Sequence, residues 1–196
     1  MLQSKLLTFI NPFLSYIDSG KLFRKPFSWL YIALAAINAL IPFIFLVSIF
    51  GTASLIGGAT YTMAAIFSWL FITAACWVGV QIGWNRKDKV LETSKENDDF
   101  PITPVIAHFI QTFGEWLGSF TAIAGFGLSL STALFLGSAA SGLSSMMGGF
   151  GAFAGIGFAG IIVNPLLGFL IIIGFRFLAE QFRALAAIAN NTRRLP

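Results

Sequence analysis

Charge is what this chain lacks most. Twelve Lys or Arg and eight Asp or Glu among 196 residues make it only 10% charged, against about 25% in an average soluble domain. So few charged groups cannot cover a water-facing surface, which excludes a soluble fold, and a mean hydropathy of +0.83 points to lipid as the main solvent. Cysteine is nearly missing too. The single thiol, Cys76, rules out an internal disulfide and with it an extracellular disulfide scaffold. His108 is the only histidine, so bis-histidine haem ligation is excluded and no second imidazole stands by for a metal site or a catalytic base. Pairing His108 with Met146 or Met147 as haem ligands would draw atoms from opposite sides of the bilayer. Gly148 to Gly151 follows no strand and precedes no Lys or Thr, so it is no phosphate cradle. No catalytic residue, cofactor or metal site is therefore expected, and the expectation is not an enzyme.

What is present is long and apolar. Charges fall only between Lys5 and Lys25, Arg86 and Glu115, and Arg176 and Arg194, leaving two charge-free blocks, Pro26 to Asn85 and Trp116 to Phe175, of 60 residues each. A crossing takes about 20 residues at 1.5 Å rise, so each block holds two helices and a connector. The reading is an all-α integral membrane protein with four transmembrane helices in two hairpins, near Ser28 to Phe50, Met63 to Trp84, Glu115 to Leu136 and Gly157 to Phe177. The first carries 13 Leu, Ile, Val or Phe between Leu30 and Phe50, worth roughly −4 to −8 kcal/mol of insertion before Asn38 and Pro42 are subtracted.

Basic residues near helix ends stay on the cytoplasmic side. Lys21, Arg24 and Lys25 precede the first helix, Arg86, Lys87 and Lys89 follow the second, and Arg183, Arg193 and Arg194 follow the fourth, whereas the connectors 51–62 and 137–156 carry no charge. Both termini are expected in the cytoplasm. Trp29, Tyr31, Trp84 and Trp116 fall at the inner boundary and Tyr61 at the outer one, as an aromatic belt does. The +4 net charge is explained by this topology, so nucleic acid is not an expected partner.

The chain divides into an amphipathic interfacial segment (1–27), a first transmembrane hairpin (28–84), a cytoplasmic charged loop and lead-in (85–111), a second hairpin with a Gly/Ser-rich outer connector (112–177) and a cytoplasmic helical tail (178–196). In the first segment Leu6, Phe9, Ile10, Phe13, Leu14 and Ile17 recur at helical spacing opposite polar residues, the pattern of a helix lying in the headgroup layer. A cleaved signal peptide is not expected, since the first long apolar run begins only after 27 residues. Val105 to Gly114, after Pro101 and Pro104, echoes the first lead-in and suggests a parallel repeat of the two halves.

Polar groups in hydrocarbon are costly and are the natural candidates for function. Asn38 and Pro42 lie one turn apart on the first helix, and Asn164 precedes Pro165 on the fourth. They form either hinges or a midplane site, or proline kinks whose freed carbonyls the amides satisfy, the commoner arrangement. Glu115, Arg176, Glu180 and Arg183 make a charge network at the cytoplasmic mouth: Arg176, Glu180 and Arg183 share one helix face at i, i+4 and i+7, and Glu115 joins if helices three and four are antiparallel neighbours. Glycines spaced by four, Gly79/Gly83, Gly114/Gly118 and Gly151/Gly155, are candidates for close helix packing. The uncharged stretch from Gly137 through Ser141 to Gly155 is either a re-entrant segment or an extension of the fourth helix.

From residue 100 the order Phe-Pro-Ile-Thr-Pro-Val-Ile, a hairpin, and then Arg-Phe-Leu-Ala-Glu-Gln-Phe-Arg-Ala-Leu-Ala-Ala-Ile-Ala-Asn-Asn-Thr-Arg resembles a bacterial family of small membrane-hairpin proteins of unknown function. The resemblance covers residues 100–196 and implies a bacterial inner-membrane protein with no known activity. The expected partners are the lipid bilayer and either further copies of the chain or other membrane subunits, and the expected function is a non-enzymatic subunit or scaffold. The alternative is a small channel or transporter using the Gly/Ser connector with Asn38 and Asn164. Cysteines introduced at Ser141, Asn38 and Asn164 in a Cys76→Ala background separate the two: the subunit reading expects water-soluble thiol reagents to miss all three, and labelling at every one would favour the pore.

Overall fold

In hydrocarbon no water is available to hydrogen-bond a backbone amide, so a chain this apolar satisfies its amides within helices. A computed structural model describes residues 10–12, 17, 21–56, 58–93, 102–137 and 157–192. Among them there are no strands and four helices long and apolar enough to cross a membrane: α1 (Lys21–Ile56), α2 (Gly58–Lys89), α3 (Ile102–Ser131) and α4 (Gly160–Thr192). A short 3-10 turn, Val90–Glu92, follows α2, a π turn, Thr132–Leu136, continues α3, and a 3-10 turn, Gly157–Ala159, leads into α4.

The helices outrun the crossings expected from the charge pattern. At 1.5 Å per residue they are roughly 45 to 54 Å long, beyond the roughly 30 Å of hydrocarbon. α1 begins at Lys21, and the connector expected at 51–62 is helical in its described residues, with Gly58 starting α2 at a φ of 64° that favours glycine. The lead-in Val105 to Gly114 is not a separate element but the first part of α3. Most of 1–20, the loop 94–101 and the connector 138–156, with Gly151 and Gly155, lie outside the described residues.

α3 is the core of the bundle. In its most apolar window 56% of residues are buried, against 22% in α1 and 17% in α4. It packs most extensively on α4, and α2 packs on both α1 and α3. Each of these pairs runs antiparallel: along α2, Gly79 faces Asn38 and Gly83 faces Tyr31, while along α3, Gly114 faces Phe175, Gly118 faces Gly168 and Gly125 faces Asn164. A Cβ on Gly118 would stand 2.5 Å from the Gly168 carbonyl oxygen, and one on Gly168 would press on the Gly118 carbonyl and stand 2.7 Å from the Ala122 Cβ. No side chain fits between α3 and α4 at this crossing, so the two backbones touch directly.

Polar side chains then bond across the contacts. Asn164 Nδ2 donates to the Gly125 carbonyl and to Ser129 Oγ, both at 2.9 Å, and Ser131 Oγ donates to the Ala64 carbonyl at 2.6 Å. Trp69 Nε1 donates at 2.9 Å to the carbonyl of Pro42, inside α1.

The crossing sets a comparison on one helix. Gly168→Val forces α3 and α4 apart and is expected to lower stability by about 3 kcal/mol, the upper range for overpacking a core. Gly174→Val, where nothing lies within 4 Å of the added carbon, is expected to be near neutral. Reversible unfolding of both variants in detergent micelles checks the pair; equal losses would mean that the close approach carries no stability.

Candidate functional site

The charged residues of the described helices collect at one end of the bundle, and there the interior turns polar. Buried on α3 are His108, Gln111 and Thr112, with Glu115 half-buried one turn on. These positions are three or four apart, so α3 presents them on adjoining faces to its neighbours.

Arg86, near the end of α2, grips Glu115 with one edge of its guanidinium: Nε donates to Oε2 at 3.0 Å, and one terminal nitrogen to Oε1 and Oε2 at 2.6 and 2.7 Å. Such a planar fork on a carboxylate is stronger and more directional than a lysine contact. Gln111 Nε2 donates to Glu115 Oε1 at 2.8 Å, while the Gln111 carbonyl oxygen accepts from Arg183 of α4 at 2.6 Å. The amide is oriented by its two neighbours, its nitrogen toward the anion and its oxygen toward the cation. A chain Arg86, Glu115, Gln111, Arg183 thus ties α2, α3 and α4 together.

α1 is tied in by a second set. Tyr31 Oη and His108 Nδ1 lie 2.9 Å apart, Thr112 Oγ1 donates to the His108 carbonyl at 2.8 Å, and an Arg24 terminal nitrogen donates to the Leu91 carbonyl at 3.3 Å. The other imidazole nitrogen, His108 Nε2, is buried with no hydrogen-bond partner among the described residues. Phe27 and Phe109 close over this end, ring centroids 5.5 Å apart. Beside Tyr31, Thr112 and Trp116 is a cavity of about 20 Å³, room for about one water molecule.

Asn38 sits one layer deeper. Its Nδ2 donates to the Leu34 carbonyl at 2.8 Å and its Oδ1 accepts from Trp116 Nε1 at 3.0 Å, in a niche left by the missing side chain of Gly79. The carbonyl that Pro42 deprives of its helical partner belongs to Asn38 itself, so the amide serves the turn above rather than repairing that break. Asn164 likewise bonds across to α3. Asn38 faces Trp116 and Asn164 faces Gly125, nine positions apart on α3, which is about 13 Å. The structure does not bring the two amides into one site.

Of the residues grouped as the mouth network, Arg183 and Glu115 are linked through Gln111, and the ion-pair partner of Glu115 is Arg86. Arg176 and Glu180 form an exposed pair at 3.9 Å on α4. Sequence reasoning missed Arg86, Gln111, Tyr31 and Thr112. The signals were Gln111 to Glu115 and His108 to Thr112, two i, i+4 polar pairs on one otherwise apolar helix. Gly79 and Gly83 of α2 pack against α1, and Gly114 and Gly118 of α3 pack against α4. Among the described residues no three His, Cys, Asp or Glu side chains gather where they could hold a metal ion. Chemically the cluster can bind helices together and hold a water.

The chain matches no model of a protein family, no curated protein and no solved structure. The resemblance of residues 100–196 to the hairpin family therefore rests on the sequence alone.

Arg86→Ala is expected to lower stability by about 2 kcal/mol, between the values for exposed and fully buried pairs, because the side chains are 23% and 17% exposed. Glu115→Gln is expected to cost less, since it leaves no carboxylate in the interior. The double exchange Arg86→Glu with Glu115→Arg should recover part of the loss. A double-mutant cycle of thermal unfolding in micelles reads all three, and additive effects would show that the pair contributes no coupling.

Proposed function

We propose that the chain is a non-enzymatic subunit or scaffold of a bacterial inner membrane. It is folded as two hairpins with both termini cytoplasmic and acts through helix association in a homo-oligomer or a larger membrane complex. The observation that carries the reading is the outer face of α4. About 20 residues suffice to cross the hydrocarbon, so a helix that enters it at Gly157 has left it by about Phe177. α4 continues to Thr192, and Leu178, Phe182, Leu185 and Ile188 stay 40% to 63% exposed along that extension. Lipid tails cannot cover Leu185 and Ile188, which lie about two and three turns beyond Phe177. An apolar stripe standing in water or at the headgroups marks a surface made for protein.

The interior supports the same reading. The cavity beside Tyr31, Thr112 and Trp116, at the polar end of the bundle, holds only about 20 Å³, room for about one water molecule. The two amides that a transport site would share are held apart, Asn38 by Trp116 and Asn164 by Gly125. The pore alternative is accordingly the weaker one.

Native mass spectrometry of the complex extracted in its own lipid, with peptide identification, tests the proposal. The expected result is an assembly larger than one chain, reduced to a single chain by Leu185→Glu with Ile188→Glu while helical content and unfolding temperature are kept. A wild-type chain that is monomeric and unaccompanied would overturn it.

A further inference from the structure

Beside the Arg86–Glu115 pair the surface between α2 and α3 opens into a groove of about 340 Å³. Its lining changes character along α2. Val78 and Ile82 form the deeper end, and Asn85, Arg86 and Lys89 the end nearest the bundle's charged terminus, with Gln81 on its flank and Glu115 across it. From Val78 to Lys89 is about 16 Å along the helix axis. Apolar carbon inside and cations outside is the order in which a phospholipid of that leaflet presents its chains and its phosphate.

The groove is also short of anions. Two cations face one carboxylate, and Glu115 already accepts from Arg86 and Gln111. Among the described residues the Lys89 ammonium and the Asn85 and Gln81 amides have no hydrogen-bond or ion-pair partner, and the second terminal nitrogen of Arg86 makes no bond. Donors are therefore left over, with positive charge in excess, at headgroup depth. The depth is marked by Trp84, whose ring carries Lys87 Nζ at 3.7 Å, outside the groove's lining.

We propose that this groove seats an anionic phospholipid, its phosphate held by Arg86 and Lys89 and its first chain carbons against Val78 and Ile82. Basic pockets between membrane helices select anionic headgroups in this way, each cation near the surface contributing enough to change affinity about fivefold. A free phosphate would satisfy the cations but leave the apolar end unused. The bound lipid would lie over the Arg86–Glu115 pair and extend the polar chain that crosses α2, α3 and α4.

The test uses the full-length purified chain, whatever its oligomeric state, with lipids counted per chain by native mass spectrometry. Phosphatidylglycerol is expected to be retained about fivefold better than phosphatidylcholine, Lys89→Gln to abolish that preference and Lys87→Gln to keep it. Gln81→Glu, which places a carboxylate on the exposed flank, should also abolish it and serves if Lys89→Gln does not fold. Equal retention of both lipids, equal effects of Lys87→Gln and Lys89→Gln, or displacement of phosphatidylglycerol by excess inorganic phosphate would each overturn the proposal, the last by making this a site for a soluble anion.

Discussion

Two carbon surfaces that meet inside a bilayer gain little over the lipid they displace, so helices there are held by how closely they approach and by the few polar bonds they share. The Gly118–Gly168 crossing meets the first condition with backbone against backbone. Everything along α3 and α4 follows from it. At that separation Asn164 reaches the Gly125 carbonyl on one side of the crossing, and on the other side Arg183 reaches Gln111. A larger residue at either glycine would move both polar links out of range together.

The charged end answers a different problem. Near the headgroups the dielectric rises, and a carboxylate can be kept if its donors are arranged beforehand. Glu115 receives a fork from α2 and an amide from its own helix, and that amide is held in turn by α4. Four side chains thus register three helices. The Tyr31–His108 contact brings in the fourth. Packing sets the middle of the bundle and polar geometry sets its end, so rotation of any one helix is opposed at two separate levels.

Much of this was legible in the residues, and what was not has physical causes. Two charge-free blocks placed four helices, because the cost of charge in hydrocarbon leaves a direct mark on sequence. The helix ends were less visible: that cost marks where lipid stops, while a helix continues as long as its amides and its packing allow. Pro104 looked like punctuation before a separate lead-in, yet it lies in the first turn of α3, where its missing N–H has no helical partner to lose. The direct partner of Glu115 was not legible, since α2 and α4 both flank α3 and spacing alone does not set helix rotation. Gly79/Gly83 and Gly114/Gly118 stood out as spaced pairs. Gly168, as tightly enclosed, has no glycine four residues away and gave no signal.

The length of α4 turns the same crossing into a fulcrum. Gly168 to Thr192 is an unbroken helical arm of about 36 Å, so a change of only about 5° in how α4 leans across α3 displaces the arm's tip by about 3 Å. The side chains at Leu185 and Ile188 ride on that arm. A partner held there would be geared to the tilt of the helix, and a change in bilayer thickness would reach it as a lateral stroke.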